Sequence, residues 1–350
     1  MSVKHGGPSS YNKHRSLTIN DIARMAGVGV ATVSRVLNNS AMVSPKTAAR
    51  IKSILDKTNY RPAYAARALA HGRTNTIELL YNTSAEKLSD DPVLLSILDS
   101  VHSEIKRADY RLAFSAIKTE FQNVPQSFLQ TMEHKMADAA LIVSVKMTDD
   151  ALKILQGLPV VILDYDGKGI VSSVVNKSEE SILDAIRRCV ELGHKRIALL
   201  WTGLDNHNEQ ERYRGYIKGM EEAHLQRRPE YEITQDNFHE GLSRLLAMEE
   251  PPTVIIATYT NDLPELYRLF DETGILIPRD MSLITVDASP GVASVLSGLV
   301  RPVSAYVIDW NSIIKITIEE VLNIAKGASA VHNISLDVPF YDRGTLVPPK

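Results

Sequence analysis

The chain has 350 residues, of which 44% are hydrophobic and 23% charged, an ordinary globular composition that excludes a disordered or fibrous protein. Its length exceeds one domain, and no apolar run approaches the ~18 residues that a membrane helix needs. The single cysteine, Cys189, excludes an internal disulfide framework, and the first 16 residues lack the apolar stretch of a secretory signal, so we expect a cytoplasmic protein.

The formal net charge of −3 hides a strong asymmetry along the chain. Residues 1–75 carry twelve Lys and Arg against two Asp, a net charge of +10, which leaves −13 on the remaining residues. A basic segment joined to an acidic one indicates a polyanionic partner for the basic part. A solvated basic tail is the alternative that charge alone leaves open.

Three short helices are predicted within the basic segment. Thr18, with Asp21 three residues later, has the pattern of an N-terminal cap, and apolar residues follow it at helical spacing. Gly27-Val28-Gly29 ends this helix in a tight turn, and a second helix follows over about Val30 to Asn38. Ser44-Pro45, a cap followed by proline, starts the third helix.

Two short helices joined by a glycine turn and backed by a third predict a helix-turn-helix module, whose second helix enters the DNA major groove. A generic three-helix bundle is the alternative, but it leaves the small, hydroxylated outer face of the second helix unexplained. Val30 and Ala31 are small enough to approach base edges, and Arg35 can bind guanine in a bidentate manner. Phosphate contacts are expected from Thr32, Ser34, Asn38, Ser44, Lys46 and Thr47.

The basic segment also resembles a known family. The run from Thr18 to Asn38 (TINDIARMAGVGVATVSRVLN), followed by Val43-Ser44 and Tyr60-Arg61-Pro62, resembles the headpiece of the LacI/GalR (lactose/galactose repressor) family. We count Thr18 and Tyr60, which lie in these matching stretches, among the expected contacts to the DNA backbone.

Residues 63–71 (AYAARALAH) are alanine-rich, and about nine residues are too few for a stable isolated helix. A helix here therefore depends on a partner, which we expect to be DNA and the same segment of a second subunit. Ala66-Arg67-Ala68-Leu69 matches the hinge helix of the family. The resemblance implies that Leu69 wedges between base pairs in the minor groove and that Arg67 contacts the minor groove or a phosphate. A plain linker helix is the alternative.

After residue 75, strand-sized apolar runs alternate with amphipathic stretches of roughly 10–16 residues, as in βαβ units that form parallel sheets. About 275 residues exceed one comfortable core, so two lobes are expected. The predicted strands are Thr76–Tyr81, Arg111–Ala116, Ala139–Val143, Val160–Asp164, Ser172–Asn176, Arg196–Trp201, Thr253–Thr258 and Met281–Asp287. The predicted helices between them include Pro92–Arg107, Ser178–Leu192 and Glu209–His224.

The expected fold class is thus a helical headpiece followed by a two-lobed, periplasmic-binding-protein-like α/β core with parallel sheets. Four segments are expected in chain order. Residues 1–16 form a flexible tail, 17–62 a helix-turn-helix DNA-binding domain, 63–75 the hinge helix and linker, and 76–350 the effector-binding and dimerisation core.

Ligands of such folds bind at the carboxyl ends of the strands, here between the two lobes. Carboxylates and an arginine there can bind sugar hydroxyls, and an aromatic face can pack against a sugar ring. The polar and aromatic residues at or just after these strand ends are Asp164, Trp201, Arg212, Tyr259, Asn261 and Asp287. Each of them alone could instead cap a loop or form a salt bridge.

The family resemblance extends through this region. Arg212-x-x-Gly215-Tyr216 matches the motif whose arginine binds effector, and the segment Gly274–Asp287 leads to the second effector aspartate. By the same resemblance, Tyr306 stands where the family often has an aromatic residue that stacks on effector. Tyr259-Thr260 replaces the usual Asn-Asp pair, which makes Asn261 a candidate substitute for the effector-binding asparagine.

The resemblance implies a homodimeric, sequence-specific transcriptional repressor that binds a palindromic operator, with a small carbohydrate effector altering operator affinity through the hinge. No cofactor, metal or membrane partner is expected, no set of nucleophile and base is apparent, and histidines such as His194 are expected to be structural. A purine, nucleoside or sugar-phosphate effector, and activation in place of repression, remain open. Other classes with the same core fold are a sugar-binding receptor and an enzyme.

Overall fold

The computed structural model describes residues 17–37, 42–58, 73–82, 92–117, 124–143, 147–203, 207–234, 238–259, 263–287 and 301–350. The chain divides into two compact units, residues 1–74 and 75–350. The tail over residues 1–16 and the hinge segment 63–71 lie outside the described residues, so the expectations for them stay predictions. No helix in the described ranges is long and apolar enough to cross a membrane.

The described part of the N-terminal unit consists of the three predicted helices, α1 (Ile19–Ala26), α2 (Val30–Leu37) and α3 (Pro45–Thr58). The predicted cap of α1 is present as a capping box, because the Thr18 hydroxyl accepts the Asp21 N–H and the Asp21 carboxylate accepts the Thr18 N–H. The hydrophobic core of this unit is formed by Ile22, Ala23, Ala26, Val33, Val36 and Ile51.

The turn between α1 and α2 depends on Gly27. This residue has φ +60°, a left-handed conformation that costs other residues free energy, and its N–H donates to the carbonyl groups of Ala23 and Arg24. The glycine signal in the sequence therefore marks the correct break, and the turn brings α2 across α1.

The first lobe of the core contains one parallel sheet. Its elements are β1 (Thr76–Asn82), α4 (Pro92–Arg107), β2 (Arg111–Ile117), α5 (Gln126–Glu133), β3 (Ala139–Val143), α6 (Asp149–Leu155), β4 (Val160–Leu163), β5 (Ser172–Asn176) and, from the C-terminal part of the chain, β11 (Asn333–Leu336). Within the described residues the strand order is β11-β5-β4-β3-β1-β2, with every neighbouring pair parallel.

The second sheet and its helices are formed by α7 (Ser178–Glu191), β6 (Ile197–Trp201), α8 (His207–Glu222), β7 (Glu232–Thr234), α9 (Phe238–Leu246), β8 (Val254–Ala257), α10 (Leu263–Thr273), β9 (Ser282–Asp287), β10 (Ser304–Val307) and, near the end of the chain, β12 (Phe340–Tyr341). In the described ranges the strand order is β12-β10-β9-β8-β6-β7, and the sheet is parallel except for the edge pair β10–β12.

The C-terminal part of the chain returns to the first lobe and then to the second. Helix α11 (Trp310–Ala325) leads to β11 (Asn333–Leu336), which extends the first sheet, and β12 (Phe340–Tyr341) pairs with β10 of the second. The buried His194 holds the end of the chain, since its Nε2 lies 2.8 Å from the Val347 carbonyl oxygen and its Nδ1 lies 2.8 Å from Thr253 Oγ1. This is the structural role expected for His194.

Helices α7 and α8 pack in direct contact because α8 carries two glycines on the shared face. A Cβ atom on Gly215 would lie 2.3 Å from the carbonyl oxygen of Glu179, and one on Gly219 would lie 2.8 Å from Cβ of Ile186. Both separations are too short for real atoms. The glycine in the Arg212-x-x-Gly215-Tyr216 motif therefore sets how closely α8, which carries the arginine, approaches its neighbour.

The fold class is as predicted, and each of the eight predicted strands matches an observed strand to within one residue at either end, whereas β7, β10, β11 and β12 were not predicted. The strand predicted to include Asp164 ends at Leu163, because Asp164 has φ +65°, a left-handed conformation that aspartate tolerates and that ends the extended backbone. Helix α8 begins and ends two residues before the predicted Glu209–His224, and α2 ends at Leu37.

Candidate DNA-binding face and effector site

The outer face of α2 is the candidate DNA-binding surface. Val33 and Val36 point into the core of the N-terminal unit, with 0% and 5% of their surface exposed. Val30, Ala31 and Arg35 are exposed on the opposite side. The helix therefore presents two small side chains and one guanidinium outward, a surface that can enter a major groove and bind base edges.

The candidate phosphate contacts cluster around the starts of the helices. Ser44 caps α3, since its Oγ accepts the Thr47 N–H at 3.3 Å and its hydroxyl donates to Thr47 Oγ1 at 2.9 Å. Thr18 caps α1, and Lys46 is exposed in the first turn of α3. N-terminal turns favour phosphate binding, since their N–H groups and the helix dipole attract anions. The half-buried Thr32 and Ser34 lie on α2.

Four further residues predicted to contact DNA are not among the described residues. Leu69, as the minor-groove wedge, and Arg67, Asn38 and Tyr60, as backbone contacts, remain predictions.

In the core, Asp164 lies at the end of β4 and is the centre of a polar cluster. Its carboxylate accepts a hydrogen bond from Asn176 Nδ2 at 3.0 Å, at the end of the neighbouring strand β5, and another from the Asn208 side chain on α8. Burial raises the pKa of Asp164 to about 6, although the charge of Arg212 and the two asparagine hydrogen bonds oppose this change. Asp164 therefore keeps its proton to a higher pH than an exposed aspartate does.

Arg212 reaches this cluster from α8 in the second lobe. Its Nη1 donates to the Thr258 carbonyl oxygen at 3.0 Å and forms an ion pair with Glu209, one turn earlier on the same helix. The second carboxylate oxygen of Glu209 accepts the Thr258 hydroxyl at 2.5 Å and the Thr202 N–H at 3.1 Å. The side chains of Glu209 and Arg212 are only 2% and 7% exposed.

Two buried polar atoms of this cluster lack a hydrogen-bond partner within the described part of the chain. They are Arg212 Nε, which is a donor, and Asn176 Oδ1, which is an acceptor. Buried polar groups are nearly always paired in folded proteins, so unpaired donors and acceptors close to a charged cluster indicate the place of a ligand. A molecule that both donates and accepts hydrogen bonds would satisfy them.

The structure brings Asp164 and Arg212 together and leaves other predicted residues elsewhere or undescribed. Trp201, at the end of β6, stacks on Tyr213 with ring centroids 4.3 Å apart, so one of its faces is already covered. Tyr259, which follows β8, is half-buried. Asn261 lies outside the described ranges, and Asp287 ends β9 without a described side chain.

Tyr306 is not part of this cluster. It lies in the middle of β10, is 2% exposed, and packs against Phe340 in the hydrophobic core. Its hydroxyl donates to Asp184 Oδ2 at 2.5 Å, and burial raises the pKa of this phenol. The side chain therefore fills the core under the second sheet and does not present a face for effector to stack on, in contrast to the expectation from the resemblance.

Four residues of the cluster were not predicted as site residues from the sequence, namely Glu209, Asn176, Asn208 and Thr258. Asn176 and Thr258 follow the strand-end rule that identified Asp164, since each stands at or just after the end of a predicted strand. Glu209 precedes Arg212 by three residues, a spacing that places two side chains on one helix face. These two signals, applied to every polar residue near a strand end, could have found the cluster.

Two parts of this chain match known protein families. A family model described as bacterial regulatory proteins, lacI family, matches residues 18–63, and a periplasmic binding protein-like domain matches residues 186–346. The HTH-type transcriptional repressor PurR of Haemophilus influenzae (strain PittEE) is 30% identical over 282 residues, covering 77% of this chain and 81% of that protein. PurR of Mannheimia succiniciproducens is 29% identical over 290 residues with the same coverage.

Solved structures share the fold at lower identity. The Lac repressor dimer bound to operator and the anti-inducer ONPF has a TM-score of 0.76 at 20% identity, covering 95% of this chain and 100% of that chain. The complex of the transcriptional regulator CelR with cellobiose has a TM-score of 0.63 at 20% identity, covering 94% and 99%. These structures have the same helical N-terminal region followed by a two-lobed α/β core.

Proposed function

The chain belongs to the lacI family of bacterial regulatory proteins and is a DNA-binding transcriptional repressor, and on that premise we propose that a small carbohydrate bound between its lobes sets its affinity for operator DNA. It is not an enzyme, since its relatives are transcriptional regulators. As a repressor it acts where its DNA is, in the cytoplasm.

The contact between the two lobes around Asp164 and Arg212 is the observation that supports the proposed effector site. Asp164 follows β4 and Asn176 ends β5 of the first sheet, whereas Arg212 and Glu209 lie on the helix that follows β6 of the second. Carboxylate, amide and guanidinium groups bind vicinal hydroxyls through charge-assisted hydrogen bonds. A sugar that supplies both donors and acceptors matches the unpaired atoms of this cluster.

The proposed mechanism couples this site to DNA through the orientation of the lobes. A ligand that binds Asp164 in one lobe and Arg212 in the other favours one relative orientation of the two sheets. That choice affects whether the hinge segments of a homodimer, residues 63–75 of each subunit, pair over the operator. Such a coupling must be reciprocal, so operator DNA changes effector affinity by the same factor.

Operator recognition is assigned to α2. Arg35 supplies bidentate readout of guanine, Val30 and Ala31 contact base edges or thymine methyl groups, and the hydroxyl and lysine side chains at helix starts hold phosphates. Two such helices related by a two-fold axis predict a palindromic operator.

A purine or nucleoside effector is the second candidate within the same class. Its support is the similarity to repressors named PurR, which is higher than the similarity to the CelR–cellobiose structure. The hydrogen-bonding cluster around Asp164 also suits a neutral heterocycle with donors and acceptors.

A thermal-shift screen of sugars, sugar phosphates and nucleosides tests the proposal, followed by operator binding with each hit. We expect a neutral sugar to raise the melting temperature of the wild type but not of Asp164→Ala, and to change operator affinity. A nucleoside hit with these properties would replace the carbohydrate, and a ligand that stabilises both proteins equally would refute the site.

A further inference from the structure

We propose that Glu209 makes the effector site selective for uncharged ligands, because its carboxylate already takes the charge of Arg212 that an anionic ligand would use. This inference rests on the proposed effector site at Asp164 and Arg212. It does not depend on whether the effector is a sugar or a nucleoside.

Glu209 is held in position from three directions. One of its oxygens pairs with Arg212, and the other accepts the Thr258 hydroxyl at 2.5 Å and the Thr202 N–H at 3.1 Å. Its side chain is 2% exposed. Thr202 follows β6 and Thr258 follows β8, so the carboxylate is fixed to two strand ends as well as to its own helix. It is therefore a built part of the site and not a mobile surface group.

The charge balance of the site follows from this arrangement. Among the described side chains of the cluster, the carboxylates of Asp164 and Glu209 face the single guanidinium of Arg212. A phosphate or carboxylate ligand would have to displace Glu209 or lose its hydration shell without a countercharge, which is costly in a buried place. Arg212 is thus present as a hydrogen-bond donor rather than as an anion site.

An uncharged ligand avoids this penalty. Arg212 Nε and Asn176 Oδ1 have no partner in the described ranges, the first a donor and the second an acceptor. A hydroxyl group can accept from Arg212 Nε, and another can donate to Asn176 Oδ1 or to the Asp164 carboxylate. The unpaired atoms therefore suit neutral polar groups, and the ion pair beside them disfavours anions.

Inorganic phosphate is the probe that tests the charge argument without knowledge of the effector. Isothermal titration calorimetry compares the wild type with Glu209→Gln and Glu209→Ala, each with and without Arg212→Met, so that only Arg212-dependent binding is counted. We expect no Arg212-dependent phosphate binding in the wild type at the highest phosphate concentration used. Both Glu209 variants should bind phosphate with a Kd at least about tenfold below that concentration, because a hydrogen-bonded anion then replaces the lost carboxylate.

Glu222→Gln is the matched control. It makes the same charge change on the same helix, about 20 Å along α8 from Glu209, at a residue whose carboxylate pairs with Arg187 at 2.9 Å. We expect its phosphate binding to equal that of the wild type. Equal phosphate binding by wild type and Glu209 variants, or a gain that survives Arg212→Met, would overturn the inference.

Circular dichroism separates loss of folding from loss of selectivity. If both Glu209 variants are unfolded, the comparison of the wild type with Arg212→Met tests the inference. Phosphate binding by the wild type that disappears in Arg212→Met contradicts the inference, and a wild type without such binding supports it. The two proposals can fail separately. A wild type that binds a nucleoside and no sugar refutes the carbohydrate effector, while the phosphate result still judges Glu209.

Discussion

The two units of the chain organise their binding side chains in different ways. In the N-terminal unit a single helix carries the candidate surface, since α2 buries Val33 and Val36 and exposes Arg35 on the other side. In the core no single element contains the site, because Asp164 follows β4 in the first lobe and Arg212 lies on α8 of the second. A helix face is set by local periodicity, whereas a site between lobes is set by topology.

The largest expected effect is on the packing of the core. Gly215→Ala places a Cβ atom 2.3 Å from the Glu179 carbonyl oxygen, so α7 and α8 must separate, at a cost of about 3 kcal/mol in the free energy of unfolding. Thermal and urea unfolding followed by circular dichroism measure the loss.

Gly29→Ala is the matched change in the N-terminal unit. No heavy atom lies within 4 Å of the added Cβ, and the backbone there is not left-handed, but alanine is a poorer N-cap of α2 than glycine, so we expect a loss of less than about 1 kcal/mol. A loss at Gly29 as large as that at Gly215 would contradict the difference between the two regions.

The next effect concerns base recognition. Arg35→Ala should cost about 2 kcal/mol of operator affinity and relax discrimination at one base pair, because it removes the bidentate donor from the outer face of α2. Fluorescence anisotropy with operator and scrambled duplexes gives the ratio of affinities. Arg50→Ala, which removes an exposed arginine from α3, should leave that ratio unchanged. An unchanged ratio for Arg35→Ala would refute the recognition-helix assignment.

The N-terminal unit could be predicted almost completely from the sequence, because its signals are local. The capping pattern at Thr18, the glycine turn at Gly27 and the spacing of apolar residues each act within one or two helical turns. The position of the strands in the core was also predictable, since buried parallel strands are continuous apolar runs. Strands β7, β10, β11 and β12 were not predicted. Each is only two to four residues long, too short for a clear apolar run, and forms by pairing with a strand that is distant in sequence.

The candidate site was predictable only in part. Asp164 and Arg212 follow from the strand-end rule and the family motif, but the ion pair of Arg212 with Glu209 depends on how α8 lies against the end of β8. Tyr306 aligns with an aromatic position of the family, but this alignment does not predict where its side chain points. Its place on β10 turns its ring toward the core, where Asp184 accepts its hydroxyl, and a sequence alignment carries no information on that direction.

The raised pKa of Asp164 in the core site predicts that the stability of the protein depends on pH. Burial raises the pKa of Asp164 from 3.8 to about 6, so the ionised carboxylate destabilises the folded state above pH 6, and this cost disappears as the pH falls below 4. Asp164→Asn removes the cost and should raise stability by about 1 kcal/mol at pH 7.5, with little difference from wild type near pH 4.

The same variant should weaken effector binding at neutral pH, since the charged acceptor is lost. Melting temperatures over pH 4–8 and calorimetric titration with the effector check both effects. A variant that is less stable than wild type at pH 7.5 would show that Asp164 is a structural group and not a ligand-binding one.

The smallest expected effect is on the salt dependence of DNA binding, which follows from the opposite net charges of the two units. Residues 1–75 carry a net charge of +10 and the remainder −13, so counterion release on DNA binding should come from the N-terminal unit. Lys46→Ala should lower the slope of log affinity against log salt by about 1. Lys218→Ala, which removes a half-exposed lysine from α8, should leave the slope unchanged, and equal losses would show that the core also contacts DNA.

The central claim is that occupation of the site at Asp164 and Arg212 controls operator binding. The most direct measurement is a titration of operator DNA into the protein with and without a saturating effector, together with the reverse titration of effector with and without operator. We predict that both affinities change by the same factor in the wild type and that neither changes in Asp164→Ala. An operator affinity that stays the same at saturating effector would contradict the claim.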